Sequence, residues 1–152
     1  MFKNRLLMDH LEGKLKAIIP LNRTAIPPIG WIKTVRMGLG MSLQQLGTKL
    51  SVTRQSVQEL EKRESDGSIT LRSLRDAANA MDMELVYGFV PKDGDVQSMV
   101  NRKARELATK IVQRTSQSML LEDQANQKER LEKAIDELTY DLKRELPKAL
   151  WD

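Results

Sequence analysis

Polar side chains cluster in the stretch TRQSVQELEKRE, residues 53–64, at the start of a predicted helix. An Arg can form two hydrogen bonds with guanine, and a Gln can donate to and accept from adenine, at the base edges exposed in a major groove. Ser and Thr beside a helix N-terminus suit phosphate oxygens. Arg54, Gln55 and Gln58 therefore have the chemistry of base contacts, and Thr53 and Ser56 that of phosphate contacts.

The helix before this stretch is predicted to begin at Leu43. Ser42 and Gln45 have the S-x-x-Q spacing of a capping box, which satisfies two main-chain N–H groups at a helix start. Gln44, in the first turn, also suits a phosphate. A Gly inside a helix costs roughly 1 kcal/mol relative to Ala, so Gly47 predicts that another part of the backbone passes close by. The inner face is predicted from helical spacing: Leu43, Leu46 and Leu50.

Thr53 is predicted to cap the second helix after a tight turn at residues 51–53. With Val57 and Leu60 turned inward, positions 54, 55, 58, 61 and 62 are expected to face outward. The alternative is plain helix packing with a solvated polar face, but clustering at a helix start favours DNA binding. Lys62 is either a further DNA contact or an ordinary surface charge.

These residues resemble the helix-turn-helix domain of phage repressors and Cro, the Xre type, over about residues 30–83. The stretch SLQQLGTKLSVTRQSVQELEKRE has the capped helix, the mid-helix small residue, the tight turn and the base-reading tripeptide followed by Val. Ser51 departs from the Gly usual in the turn, which implies mild backbone strain. A longer KRESDGSIT connection is the second departure. The resemblance implies an all-α, lambda-repressor-like fold and sequence-specific binding of double-stranded operator DNA.

Three regions follow from the pattern of helices and breakers. Residues 1–28 are predicted to be an N-terminal helical arm and linker, residues 29–90 the helix-turn-helix DNA-binding domain, and residues 91–152 a C-terminal helical extension for partner binding or dimerisation. The apolar run ELVYGFVP is more typical of a short strand, near residues 84–90, than of a helix. Apolar stripes at residues 100–111 and 131–146 either pair with one another or the domain, or form an interface with a second copy or another protein.

Composition excludes several classes of site. The 152 residues include no Cys and a single His10, so the sequence predicts no disulfide, no metal site and no cofactor. No catalytic constellation is found, and we expect no enzyme.

The net charge of +4 belongs to residues 1–90, which contain 13 Lys and Arg against 9 Asp and Glu. Basic residues of the arm either reach the DNA backbone or cover the core: Lys14, Lys16 and Arg23. Without a signal peptide or bilayer-spanning run, a cytoplasmic protein is expected, with no membrane partner.

The whole chain is similar to the family called mobile mystery protein A. The N-terminal arm leading into PIGWIKTVRMGLGMSLQQLG and the C-terminal half carry this resemblance. Members are typically encoded beside a Fic-domain protein and are thought to be the antitoxin of that toxin-antitoxin pair. The resemblance implies that this chain binds and inhibits a Fic-type adenylyltransferase toxin and represses its own operon.

Inhibitory helices of Fic enzymes carry Ser or Thr, three residues, Glu, then Gly or Asn. The stretch SMLLED matches at Ser118 and Glu122 and departs at Asp123. In the family the Glu pairs with an Arg of the enzyme in place of the ATP γ-phosphate. The alternative is an exposed Glu on a connecting helix, which leaves a stand-alone repressor whose C-terminal helices only dimerise. A second rival, an interaction protein that has lost DNA binding, is disfavoured by Arg54 and Gln55.

Overall fold

The computed structural model describes residues 2–116 and 124–152, which form helices joined by turns. This all-helical architecture confirms the predicted all-α class. Two short 3-10 helices, Ile19–Arg23 and Lys148–Trp151, accompany the α-helices. The α-helices of the described residues are α1 (Phe2–Lys16), α2 (Trp31–Gly38), α3 (Leu43–Leu50), α4 (Arg54–Asp66), α5 (Leu71–Ala80), α6 (Val96–Ser116) and α7 (Gln124–Glu145).

The predicted strand at residues 84–90 is wrong. No residue of this segment has strand structure, and its main-chain N–H and C=O groups form no hydrogen bond to the described part of the chain. Aromatic and β-branched residues favour strands, but a strand also needs a neighbour with which to pair. The described ranges provide no such neighbour, and Val86, Tyr87 and Phe89 are 68%, 59% and 87% exposed.

Residues Arg23–Tyr87 form one compact unit, built from α2 to α5. Leu46 and Val57, both predicted to face inward, are fully buried at its centre. The first turns of three helices are fixed by side-chain caps from Ser42, Thr53 and Thr70. Five buried apolar side chains form the core: Ile32, Leu46, Val57, Ala77 and Met81.

Helix α2 buries one apolar and one charged side chain on its inner side and leaves two nearby apolar residues largely exposed. Trp31 and Leu39 are 45% and 53% exposed, whereas Ile32 and Arg36 are buried. Ile32 and Arg36 are four residues apart and therefore share one side of the helix. The burial of a cation on that side requires a partner, which α4 supplies.

Met1–Asn22 and Gly88–Asp152 form the second compact unit. Helices α6 and α7 pack along one another, which confirms the alternative in which the two C-terminal apolar stripes pair together. The C-terminal 3-10 helix adds Leu150 to their core. Four buried side chains define that core, Ala104, Ala108, Leu142 and Leu150, and four partly buried ones surround it, Leu107, Ile135, Leu138 and Leu146.

Helix α1 forms as predicted, but much of its apolar stripe faces solvent. Leu6, Leu7 and Leu11 are 60%, 59% and 44% exposed.

Within residues 2–116 and 124–152, no helix has the combination of length and apolar content that crossing a bilayer requires.

Candidate nucleic-acid interface

The turn between α3 and α4 positions the residues predicted to contact DNA. Ser51 adopts the left-handed conformation, with φ 57° and ψ 38°. The N–H of Val52 donates to the carbonyl of Gly47 at 2.9 Å, and the N–H of Ser51 donates to that of Thr48 at 3.2 Å. This pair of hydrogen bonds is the Schellman arrangement that ends many helices. A side chain in this conformation costs roughly 1 kcal/mol, so the strain predicted for Ser51 is confirmed.

Gly47 lies where α3 meets the chain entering α4. A Cβ atom at this position would lie 2.8 Å from the carbonyl oxygen of Val52 and 3.3 Å from the carbonyl carbon of Thr53. Both neighbours are main-chain atoms, which cannot move without shifting the turn. The packing reason predicted for this glycine is confirmed, and the absence of a side chain sets how closely the two helices approach.

Thr53 fixes the first turn of α4. Its hydroxyl oxygen accepts a hydrogen bond from the N–H of Ser56 at 3.1 Å, which confirms the predicted cap. The hydroxyl groups of Thr53 and Ser56 also lie 2.9 Å apart. Both side chains therefore have a structural role at the helix start, and their contact with phosphate stays a prediction.

The N-terminal half of α4 projects free polar side chains. Arg54, Gln55 and Gln58 are exposed. None of the three side chains forms a hydrogen bond or ion pair within the described part of the chain, and neither do those of Gln44 and Lys62, which are also exposed. Their donors and acceptors are available to an outside partner.

The C-terminal half of α4 is used internally instead. Glu61, predicted to face outward, is only 6% exposed, so that expectation is wrong. The Nε of Arg36 donates to Oε1 of Glu61 at 2.6 Å, and Nη2 donates to Oε2 at 3.3 Å. Glu61 follows Val57 by four residues and therefore lies on the same inward side of the helix. The spacing that turns Val57 inward therefore turns Glu61 inward as well.

Glu64 joins the same two helices at a second point. Its carboxylate accepts hydrogen bonds from the N–H groups of Trp31 and Ile32, at 2.7 and 2.9 Å. These N–H groups belong to the first turn of α2, where a negative charge is stabilised by the helix dipole. No local sequence pattern predicts this contact, because the donor and acceptor are more than thirty positions apart in the chain. Glu61 and Glu64 together anchor α4 to α2.

A polar cleft borders the outward side of α4. It has a volume of about 420 Å³. Lys33 and Lys62 contribute two cations, neither of which has an ion pair within the described residues, and Gln58 contributes an amide. The cations give this side of the unit a positive charge beside the free Gln58. The remaining lining residues are Pro28, Ile29, Arg36, Leu43, Glu61 and Ser65.

The other predicted sites belong to the N-terminal arm or fall outside the described residues. Ser118 and Glu122 fall within residues 117–123, of which the structure describes nothing. Lys14 and Lys16 are exposed in the last turn of α1, and Arg23 is exposed at the start of the helix-turn-helix unit. In the described ranges, no three His, Cys, Asp or Glu residues are grouped so that they could hold a metal ion.

Comparison with known proteins identifies this unit. Residues 32–87 match the helix-turn-helix family. The chain therefore contains an Xre/Cro-type helix-turn-helix domain with a lambda-repressor-like fold, and this domain indicates a DNA-binding transcriptional regulator. Domains of this kind are regulatory and not typically catalytic. No curated protein and no solved structure matches the chain.

Proposed function

We propose that the protein is a sequence-specific repressor that places the N-terminal half of α4 in the major groove of its operator. The observation that carries this proposal is the division of α4 into two halves. Glu61 and Glu64 are held by α2, while Arg54, Gln55 and Gln58 remain free and exposed. Arg54 and Gln55 contact base edges, and Gln58 contacts the groove one turn further along the helix.

Phosphate contacts on either side orient α4 in the groove. Gln44 lies in the first turn of α3, and Thr53 and Ser56 lie at the start of α4, so each is beside a helix N-terminus that favours an anion. Lys62 adds a cation on the outward side of α4. These contacts fix register and supply affinity, whereas the base contacts supply specificity.

Selection of bound sequences from random duplex DNA tests this proposal. We expect one preferred sequence, and we expect Arg54→Ala or Gln55→Ala to weaken binding to it by about 1–3 kcal/mol while non-specific binding changes little. Gln113→Ala is the matched control, because Gln113 is an exposed glutamine on α6. Selection of no preferred sequence, or equal losses in all three variants, would contradict base reading by α4.

The proposal includes binding as a homodimer to paired half-sites. A dimer with two-fold symmetry contacts half-sites whose centres are about 34 Å apart, one turn of DNA. Hydroxyl-radical footprinting of the selected operator therefore should show two protected patches separated by about ten base pairs. A single protected patch would leave DNA binding in place and remove the dimer from the proposal.

A further part of the proposal is that the protein is an antitoxin that binds and inhibits a Fic-type adenylyltransferase toxin. Its support is the resemblance to mobile mystery protein A and the four-residue spacing of Ser118 and Glu122. That spacing suits one helix face, and a Glu–Arg pair in a desolvated pocket is a strong, directional contact. The chain positions flanking this segment belong to α6 and α7, which pack together.

Co-purification with the product of a neighbouring Fic-type reading frame tests the antitoxin part. ATP-dependent labelling of the target is then measured with the wild-type protein, with Glu122→Ala and with Glu129→Ala, which changes an exposed Glu of α7 as a control. Retained binding with lost inhibition in Glu122→Ala alone supports the mechanism. Absence of binding, with operator binding intact, would leave the stand-alone repressor.

A further inference from the structure

An apolar groove lies within the helix-turn-helix unit, lined by α2, α5 and the residues that follow α5. It has a volume of about 230 Å³. Its floor belongs to the core of the unit, because Ile32 and Met81 line the groove and are also members of the buried cluster. Its apolar rim contacts solvent, since Trp31, Met83 and Val86 are 45%, 45% and 68% exposed. The other apolar lining residues are Val35, Leu74, Ala78 and Leu85.

The charged groups that line this groove are acidic. Glu64 and Glu84 contribute carboxylates, and no Lys, Arg or His of the described residues lines it. Glu84 is exposed, and its carboxylate has no hydrogen bond or ion pair within the described part of the chain. The carboxylate of Glu64 accepts two N–H donors from the first turn of α2, at 2.7 and 2.9 Å, and keeps further lone pairs. The groove therefore favours a positive charge over a negative one.

Basic residues that adjoin the lining positions in the sequence do not reverse this preference. Lys33 follows a lining residue of α2 but belongs to the polar cleft. Arg63 and Arg75 each adjoin a lining residue, on α4 and α5, but they are exposed and do not line the groove. Consecutive residues of a helix project about 100° apart, which explains why these side chains do not point into the groove with their neighbours. Asp82, in the turn after α5, adds an exposed acid.

We propose that this groove is a binding site for a small organic cation, an apolar body that carries a quaternary or protonated amine. The apolar body lies on the floor formed by Ile32 and Met81, and the cation lies at the rim beside Glu84. Burial of the body supplies affinity. The cation supplies selectivity, because the carboxylate of Glu84 and the indole of Trp31 both attract it. Met83, with a flexible and polarisable thioether, adapts the rim to the shape of the ligand.

The size of the groove limits the size of the ligand. Binding sites for drug-sized molecules usually have volumes of about 300–1,000 Å³, so a groove of about 230 Å³ accepts a smaller molecule. Benzyltrimethylammonium, a single ring joined to a tetrahedral cation, is therefore a suitable probe. A ligand of this size is expected to bind with a dissociation constant of about 1 mM.

The methyl groups of the methionines report where the probe binds on the wild-type chain. In methyl NMR spectra, we expect benzyltrimethylammonium to shift the signals of Met81 and Met83 together. Met37 is the internal control, because it is 58% exposed on α2 and does not line the groove. Unchanged Met81 and Met83 signals at about 10 mM probe would overturn the inference, whether the groove takes no small ligand or is closed by a second copy.

Two further ligands separate the contribution of the charge from that of the apolar body. Benzylsulfonate has the same ring with a tetrahedral head of opposite charge, and tetramethylammonium has the cation without the ring. We expect each to bind at least about tenfold more weakly than benzyltrimethylammonium. The fluorescence of Trp31, in a Trp151→Phe background that leaves it the single Trp, measures these affinities. Equal affinity for benzylsulfonate would overturn the preference for a cation.

Glu84→Gln removes the rim carboxylate and keeps the shape of the side chain. We expect it to weaken binding of benzyltrimethylammonium by about two- to fivefold and to strengthen binding of benzylsulfonate. Glu59→Gln is the matched control, because Glu59 is exposed on α4 and does not line the groove, and it should change neither affinity. Equal effects of the two substitutions would contradict the role of Glu84.

Ala78→Leu gives a second test that does not depend on charge. Ala78 lines the groove, and a larger side chain there should fill it and abolish binding of the probe. Circular dichroism and the midpoint of thermal unfolding verify that the variant is folded. Undiminished binding by the folded variant would place the probe elsewhere and overturn the inference.

The outcomes of these tests are independent of the proposed function, because ligand binding is measured without DNA. A chain that binds the cation in the groove but binds no preferred duplex supports the inference and removes the repressor proposal. A chain whose operator binding depends on Arg54, but whose Met81 and Met83 signals do not respond to the probe, keeps the repressor proposal and overturns the inference.

Discussion

The guanidinium of Arg36 and the carboxylate of Glu61 form a buried ion pair that joins α2 to the C-terminal half of α4. Their side chains are 10% and 7% exposed. Both carboxylate oxygens receive a hydrogen bond, and the remaining Nη1 of Arg36 donates to the carbonyl of Met41 at 3.0 Å. Such a pair compensates the desolvation of both charges only while it is complete.

Glu61→Gln should therefore destabilise the helix-turn-helix unit. Loss of one charge leaves Arg36 buried without its counter-ion, and we expect the free energy of unfolding to fall by about 3 kcal/mol. Urea unfolding followed by Trp31 fluorescence, in a Trp151→Phe background, measures this unit alone. Glu59→Gln, an exposed change on the same helix, should alter the value by less than about 0.5 kcal/mol. Similar effects of the two substitutions would refute the structural role of the pair.

Gly47→Ala should also destabilise the unit, through a steric clash. The added methyl group would meet the Val52 carbonyl oxygen at 2.8 Å, and relief of that clash requires movement of the turn. We expect a loss of about 1–3 kcal/mol in the same unfolding measurement, with weaker operator binding. Gly38→Ala is the matched control, because a Cβ there meets nothing within 4 Å, and it should be neutral or stabilising by up to about 1 kcal/mol. Equal losses of unfolding free energy in Gly47→Ala and Gly38→Ala would show that the close approach of the Val52 carbonyl does not determine the effect at Gly47.

Ser51→Gly should stabilise the protein. Ser51 has φ 57°, a conformation that costs a residue with a side chain roughly 1 kcal/mol and costs Gly almost nothing. The larger backbone entropy of Gly in the unfolded chain offsets part of the gain, so we expect a net increase of about 0.5 kcal/mol in unfolding free energy. The same substitution within α4, Ser65→Gly, should be destabilising by about 0.5–1 kcal/mol. A loss in both variants would argue against strain at Ser51.

The sequence predicted the helix-turn-helix well because its determinants are local. The capping box at Ser42 and Gln45, the cap at Thr53 and the inward positions of Leu46 and Val57 all depend on residues within one or two helical turns. Gly47 could be interpreted because a Gly within a helix is costly unless something approaches it. These signals fixed α3, the turn and α4 without knowledge of the rest of the chain.

Non-local pairings were the features that sequence alone could not supply. Arg36 with Glu61, and Glu64 with the start of α2, link residues 25 to 33 positions apart, and no local pattern identifies such partners. Helical spacing places Glu61 on the same side of α4 as Val57, but it does not identify Arg36 as the partner. The predicted strand at residues 84–90 was wrong for the same reason, because strand propensity does not provide a neighbouring strand to pair with.

The carboxyl group of Asp93 should titrate below its usual range. Hydrogen bonds from Arg102, at 2.9 Å to each carboxylate oxygen, lower the pKa of Asp93 from its ordinary value of 3.8. A lowered folded-state pKa adds stability that is present above pH 3.8 and is lost as the pH falls through the folded value. In an NMR titration, Arg102→Gln should raise the Asp93 midpoint toward 3.8, and Lys103→Gln, which removes a smaller Coulombic contribution, should raise it less. An unchanged midpoint in Arg102→Gln would contradict this assignment.

The salt dependence of DNA affinity should distinguish the phosphate contacts of α4 from its base contacts. If Lys62 neutralises a phosphate, Lys62→Gln should weaken binding to all duplex sequences alike and reduce the slope of log affinity against log salt concentration by about 0.9. Gln58→Ala, which changes no charge, should leave that slope unaltered and relax sequence preference near the position that it contacts. Fluorescence anisotropy with operator and scrambled duplexes, over about 50 to 200 mM salt, measures both quantities. An unchanged slope in Lys62→Gln would make Lys62 a solvated surface charge, and DNA contacts would then be confined to the first two turns of α4 and the helix starts beside them.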